Sequence, residues 1–286
     1  MEQSRLSRKL TSRFIAGCTL AEEVRVVKKL AAENLSATLD FLGENVTSLE
    51  EAERSRDAYA AALQEIEKQG LPATLSIKLT QFGLDFSQEA CLQNVSTLVE
   101  RAAAIGSRIE IDMEASQYTE RTLQIVSQLH SRYPGCVRAV IQAHLYRSED
   151  DVRTLSEQGI PVRLCKGAYR ESAEMAYPSK ADVDENYLKI MKSLVYMGTY
   201  PAIASHDEKI IRSALKHIQE RQIPPDRFEF QMLYGIRRDL QRELVTKGFR
   251  LRLYVPYGDA WYPYFMRRLA ERPANLLFLL RNLLRS

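Results

Sequence analysis

VRLCKGAYRE, residues 162–171, is the stretch from which the rest of the chain can be read. It places two cations and a glycine where a short apolar run ends. Arg163 lies inside the run, whereas Lys166 and Gly167 follow it, so one cation points from a strand and the other from its exit. Glycine lets a backbone approach a ligand closely, and such an exit suits an anion. An ordinary charged strand exit has the same composition, so the stretch takes its meaning from its neighbours.

Runs of the same kind recur at 36–41 (SATLDF), 74–79 (TLSIKL), 109–113 (IEIDM), 137–142 (VRAVIQ), 162–166 (VRLCK), 201–205 (PAIAS), 228–231 (FEFQ) and 250–255 (RLRLYV). Between them lie segments of helical period, such as Ile210, Ile211, Ala214, Leu215 and Ile218, or Val95, Leu98, Val99 and Ala102. Several end at a glycine: Gly70, Gly106, Gly159 and Gly248. Eight strands alternating with eight helices predict an α/β fold, a parallel sheet with right-handed crossovers closed into a (β/α)8 TIM-type barrel. An open doubly wound sheet is the alternative. The barrel is expected over 36–286, behind an N-terminal helical extension over 1–35. That extension reads as two helices divided by GCTLAEE, where Thr19 can cap a helix carrying Glu22 and Glu23 in its first turn.

The strands alternate apolar and polar residues, although a parallel sheet covered on both faces should be nearly all apolar. One parity holds Asp40, Ser76, Lys78, Glu110, Asp112, Arg138, Gln142, Arg163, His206, Glu229, Gln231, Arg252 and Tyr254. The other holds Leu39, Ile77, Ile109, Ile111, Ile141, Leu164, Ile203, Phe228, Phe230, Leu251 and Leu253. If helices coat the outside, the polar parity fills the lumen, and the lumen becomes a site. Barrel interiors are ordinarily packed with Val, Ile and Leu, with catalytic residues at the C-terminal strand ends. So many charges therefore suggest a large polar ligand over that mouth. A half-exposed antiparallel sheet would show the same alternation, but the long helical segments between strands argue against it.

Composition narrows the classes. With 286 residues, 45% of them hydrophobic, the chain can build one large core. Forty basic residues stand against 37 acidic ones, and the net charge of +3 is spread along the chain, which does not suggest nucleic acid. Cys18, Cys91, Cys136 and Cys165 lie far apart, with no CxxC pair and no histidine at ligand spacing, so neither a metal site nor a disulfide framework is indicated and a reducing cytoplasm fits. Residues 1–14 are basic, faintly like a transit peptide, but read as a helix because Glu2 is present and no apolar signal region follows. The most apolar run, 276–284, is too short to span a bilayer.

Single residues leave choices open. Lys78, at the end of the second strand, suits a Schiff-base amine, a carboxylate anchor or a structural ion pair. Asp112 ends the third strand on the same parity, so a Lys78–Asp112 pair across the mouth is expected, lowering the pKa of the acid. Arg267 and Arg268 can form a solvated face. Beside Tyr254 and Tyr264 they can also form an aromatic and cationic wall, guanidinium being suited to bidentate grip of a carboxylate. His206 can be a core histidine or a site residue, next to Asp207, an expected helix cap. No Ser/His/Asp triad assembles. A Schiff-base lyase using Lys78 or Lys166 and a non-catalytic membrane-surface module contacting through 276–284 are the rival functions.

A set of motifs carries a resemblance: SIKLTQFG (76–83), EIDME (110–114), VIQAHLYR (140–147), RLCKGAY (163–169), ASHD (204–207), FEFQMLYG (228–235), RLYVPYG (252–258) and YFMRRLAERPAN (264–275). In their order and spacing the chain resembles the bacterial monofunctional proline dehydrogenases, FAD-dependent (β/α)8 barrels that oxidise L-proline. The resemblance implies that Arg267 and Arg268 clamp the proline carboxylate with Lys78, and that Tyr254, Tyr264 and Leu233 enclose the ring. It implies catalytic roles for Asp112, which supports Lys78 and Tyr254, and for Arg163, which lies near the flavin N5. Met113, Gln142, Lys166, Gly167, Ala168, Ser205 and His206 would contact FAD. The product would be Δ1-pyrroline-5-carboxylate, with electrons passing to a quinone. Work in the cytoplasm, with peripheral contact at the inner face of the cell membrane, is compatible with the family. Two departures stand out. Ser205 replaces the more usual threonine before His206, keeping the hydroxyl. No residues remain for the familiar aldehyde dehydrogenase partner, so the product is expected to pass to a separate pyrroline-5-carboxylate dehydrogenase.

Overall fold

A computed structural model describes residues 14–43, 46–262, 264 and 266. The eight strands are β1 Ser36–Phe41, β2 Ala73–Lys78, β3 Ile109–Asp112, β4 Val137–Gln142, β5 Val162–Cys165, β6 Ala202–Ala204, β7 Glu229–Leu233 and β8 Leu251–Tyr257. They pair in chain order, every pair is parallel, and β8 pairs with β1, so the sheet closes on itself. The barrel expectation holds and the open doubly wound alternative falls.

The described helices are α1 Leu20–Ala32, α2 Leu49–Gln69, α3 Gln88–Ala104, α4 Ser116–Arg132, α5 Ser148–Glu157, α6 Lys180–Met197, α7 Glu208–Glu220 and α8 Arg238–Thr246. Helices α2 to α8 are the crossovers that follow β1 to β7. Gly70, Gly106, Gly159 and Gly248 all take the left-handed conformation at the ends of α2, α3, α5 and α8, where their amides satisfy orphan carbonyls in a backbone conformation that other residues adopt only with strain.

Helix α1 starts as expected: Thr19 accepts from the Glu22 amide, and the Glu22 side chain returns the bond, forming a capping box. Its buried Val24, Val27 and Leu30 face β1 and β8. The helix thus covers the seam where the barrel closes. Ala16 donates to the Pro256 carbonyl at 2.9 Å and Gly258 donates to the Gly17 carbonyl at 3.0 Å, tying the entrance of α1 to the exit of β8. Residues 1–13, Arg267, Arg268 and the run 276–284 lie outside the described residues.

The two strand parities separate as expected. Leu39, Leu75, Ile77, Ile109, Ile111, Ile141, Leu164, Phe230 and Leu253 are buried in one continuous core between sheet and helices. Each such side chain contributes about 1.5–3 kcal/mol by leaving water, which sets the register and sends the opposite parity inward.

Candidate active site

From bottom to mouth the lumen is filled by charge. Arg138 is fully buried; it donates to Glu110 Oε1 at 3.2 Å, to Glu229 Oε1 at 2.6 Å and to the Tyr200 carbonyl at 3.2 Å, with its guanidinium 5.5 Å from the Tyr200 ring centre. Arg252 donates to the same Glu229 oxygen at 3.0 Å. Burial alone would push the Glu110 carboxyl up, but Arg138, Arg163 and Arg252 hold it below its ordinary range. Glu229, similarly buried, is held well down by Arg252 and Arg138.

One layer higher, Arg163 spans the barrel. Its Nη1 donates to Glu110 Oε2 at 2.9 Å and to Gln231 Oε1 at 3.3 Å, while Nη2 donates to Ser76 Oγ at 2.9 Å and to Asp112. Its side chain is only 6% exposed. Burial opposes the charge, yet Asp112 and Glu110 over-compensate and hold the guanidinium cationic.

At the mouth stands the expected pair. Lys78 Nζ lies 3.4 Å from Asp112 Oδ2, 3.3 Å from Asp40 Oδ1 and 3.4 Å from the Tyr254 hydroxyl. Tyr254 donates to Asp112 Oδ2 at 2.9 Å, and Ser76 donates to Asp112 Oδ1 at 2.9 Å. Burial pushes the Asp112 carboxyl up; Arg163, then Lys78, with the Ser76 and Tyr254 hydroxyls, outweigh it and leave the acid below its usual range. Asp40 lacks the arginine, and burial leaves its carboxyl raised in spite of Lys78. The Tyr254 phenol is pushed well up by burial and by the charges of Asp112 and Asp40, so it stays protonated under the Arg163 guanidinium, 5.3 Å from its ring centre. Lys78, Asp112, Arg163 and Tyr254 therefore form one cluster.

The other described residues of the expected set belong to the strand ends and the segments that follow them, whereas Arg267 and Arg268 lie outside the described residues. Gln142 ends β4 and joins two of those segments: its amide nitrogen donates to the Glu114 carbonyl at 2.9 Å, and its oxygen accepts the Ala168 amide at 3.1 Å. Met113, before Glu114, is buried. Lys166 lies between Asp184 and Asp207, 2.9 Å from the latter, so its charge is already matched within the chain. Gly167 has φ +122°, and a β-carbon there would sit 1.8 Å from His144 Nδ1. An internal imidazole thus requires this glycine. Asp207 caps α7 as expected, its own amide donating to Ser205 Oγ at 3.1 Å. His206 Nε2 accepts the Leu233 amide at 2.7 Å, joining the exits of β6 and β7. Tyr264 is buried with Phe14, Ile15 and Leu42.

The proline dehydrogenase family profile matches residues 24–281. Proline dehydrogenase 1 of Bacillus subtilis (strain 168) is 42% identical over 274 residues, covering 96% of this chain and 90% of the relative. The proline dehydrogenase of Deinococcus radiodurans is 36% identical over 284 residues, covering 97% and 91%. The chain belongs to the proline dehydrogenase family. Among solved structures, proline utilization A from Bdellovibrio bacteriovorus, inactivated by N-propargylglycine, superposes with a TM-score of 0.85 at 27% identity; it covers 91% of this chain and 32% of that one. The chain thus spans about a third of that longer protein.

Two residues of this cluster take no site role from the sequence. Asp40 approaches Lys78 as closely as Asp112 does, and Glu110 is the buried counter-ion of Arg163. Both stand on the inward parity, and Glu110 also opens the motif EIDME. His144, under Gly167, has an Nε2 that is buried without a hydrogen-bond partner, and nothing in its spacing marks it. Among the described residues, no helix is long and apolar enough to cross a membrane.

Proposed function

We propose that this chain is an oxidoreductase that converts L-proline to Δ1-pyrroline-5-carboxylate, the hydride passing to a bound FAD and the electrons then to a quinone. The observation that carries this reading is Arg163, a buried guanidinium held charged between Glu110 and Asp112 beside the Lys78–Asp112–Tyr254 cluster. The chemistry of the mouth fits a flavin: a fixed cation stands at the strand ends, and a glutamine holds together the two loops above it. Arg163, Met113, Gln142, Lys166, Gly167, Ala168, Ser205 and His206 would hold it. Bound there, FAD supplies a two-electron acceptor for the hydride leaving the carbon next to the ring nitrogen.

The chain's own residues do the rest. Lys78, with Arg267 and Arg268, binds the proline carboxylate; its contacts to Asp40 and Asp112 are long enough for the ammonium to turn toward a substrate anion. Tyr254, Tyr264 and Leu233 wall the ring. Asp112 fixes Lys78 and Tyr254 in place. Positive charge around the amine disfavours its ammonium form, so the nitrogen lone pair is free when hydride leaves. Arg163 offers a cation where negative charge collects after transfer, preorganised by its carboxylates and needing no rearrangement. A yellow chain with a flavin spectrum excludes the Schiff-base lyase.

Residues 36–286 form the catalytic barrel in this reading, with 1–35 as its extension. The product passes to a separate pyrroline-5-carboxylate dehydrogenase, and the enzyme works in the cytoplasm, reaching the membrane through peripheral contact. Purified protein supplied with FAD should be yellow, and anaerobic L-proline should bleach its visible absorbance. A chain that retains no flavin, or a flavin that proline leaves oxidised, overturns the proposal.

A further inference from the structure

Helix α4 starts without a cap of its own. Ala115 occupies its N-cap position with no side-chain bond, and no acidic residue lies in its first turn. By contrast α1, α2, α3, α6 and α7 begin at Thr19, Ser48, Ser87, Ser179 and Asp207, each accepting a backbone amide. The acceptor missing from α4 comes from the loop after β5, two strands along the barrel. Glu171 Oε1 takes the Ser116 amide at 2.8 Å, and Oε2 takes the Ser116 hydroxyl. A carboxylate at a helix N-terminus is favoured by the orphan amides and by the helix dipole.

The two segments so joined are the β3–α4 loop, with Met113 and Glu114, and the β5–α6 loop, with Lys166, Gly167 and Ala168. Gln142 already bridges the same loops from below, through the Glu114 carbonyl and the Ala168 amide. The β5–α6 loop is also pinned at both ends to His144, whose amide donates to the Lys166 carbonyl at 2.8 Å and whose carbonyl accepts the Tyr177 amide at 2.8 Å. Its middle has Glu171 as its tie across to α4. We propose that Glu171 is a positioning residue: with Gln142 as floor and Glu171 as roof, the bond to Ser116 sets the spacing between the two loops that wall the flavin.

This inference rests on the mouth being a flavin site, and its test separates the two. Glu171→Ala removes both bonds to Ser116 and should raise the FAD dissociation constant at least about tenfold, the scale of a charge-assisted hydrogen bond, while the proline KM of fully loaded enzyme stays unchanged. Ser116→Ala keeps the amide bond and should weaken FAD binding less; the double variant should be no worse than Glu171→Ala alone. In flavin-free protein, amide hydrogen exchange at Ser116 and across 168–175 should quicken in Glu171→Ala. Unchanged exchange together with a dissociation constant within about twofold of wild type overturns the latch. If wild type binds no flavin, the functional reading fails, and the exchange measurement alone decides whether the latch exists.

Discussion

Replacing Glu110 with glutamine tests whether balanced charge holds the lumen. Four cations, Lys78, Arg138, Arg163 and Arg252, face four carboxyl groups, Asp40, Glu110, Asp112 and Glu229. Glutamine keeps the volume of Glu110 but removes its charge, leaving three guanidiniums to share Glu229 and Asp112. Breaking a buried ion pair from one side costs about 3–5 kcal/mol. Arg138 keeps Glu229 and Arg163 keeps Asp112, so the lower end applies, about 3 kcal/mol. For a chain of this size that lowers the thermal midpoint by roughly 6–12 °C, read by circular dichroism at pH 7 on flavin-free protein. The folded-state carboxyl is held below its ordinary value of 4.5. Its stabilisation is therefore present above that value and fades as pH falls through the folded one, so the two midpoints should converge in acid. A midpoint within about 2 °C of wild type at pH 7 refutes the argument, as does a gap that stays constant on acidification.

Further substitutions probe three separate links. Arg163→Ala should slow flavin reduction by proline about a hundredfold or more, the cost of losing one preorganised electrostatic donor, with a much smaller change in proline affinity; normal reduction in stopped flow removes Arg163 from the reacting centre. Gly167→Ala puts a methyl onto the His144 ring in a conformation with φ +122°, so it should lose flavin on gel filtration. His144→Ala in the same chain should recover only part of that loss, because the backbone strain remains; an unaffected Gly167→Ala means the loop gives way freely. Glu23 is fully buried with neither carboxyl oxygen hydrogen-bonded, and burial, then the charge of Asp40, pushes its pKa well up. The protonated carboxyl's contribution to stability is complete below the ordinary carboxylate range and drains away as pH rises toward the folded value. Glu23→Gln should therefore lose less stability than wild type as pH rises above the ordinary carboxylate range, by about 1.4 kcal/mol for each pH unit until the folded value is reached; parallel pH profiles contradict this.

Some of the site is legible from strand parity. Asp112 and Lys78 end neighbouring strands on the inward side, and paired parallel strands bring such ends together, so their contact follows once the strands are placed. Arg163 is legible as an inward cation, but not its partners: Glu110, Ser76 and Gln231 lie on β3, β2 and β7, across a lumen whose geometry depends on closure and shear. The same limit hides the role of Asp40, which looks no different in sequence from any other inward acid. Strand bounds agree for β1 and β4 and drift by one or two residues elsewhere, because pairing with neighbours ends a strand.

By itself the sequence determines the eight strands, the helices between them, the caps of α1 and α7 and the split between an apolar coat and a charged lumen. These depend on period, on capping side chains and on glycine conformations, all local properties of the chain. Only the tertiary structure decides which charges meet: Lys166 with Asp184 and Asp207, Gly167 against His144, and Glu171 with Ser116, 55 residues earlier. Apart from Asp184, those partners come from different turns of the barrel. Their meeting depends on how far each strand is staggered against the next and on the path of each loop, which no local pattern encodes.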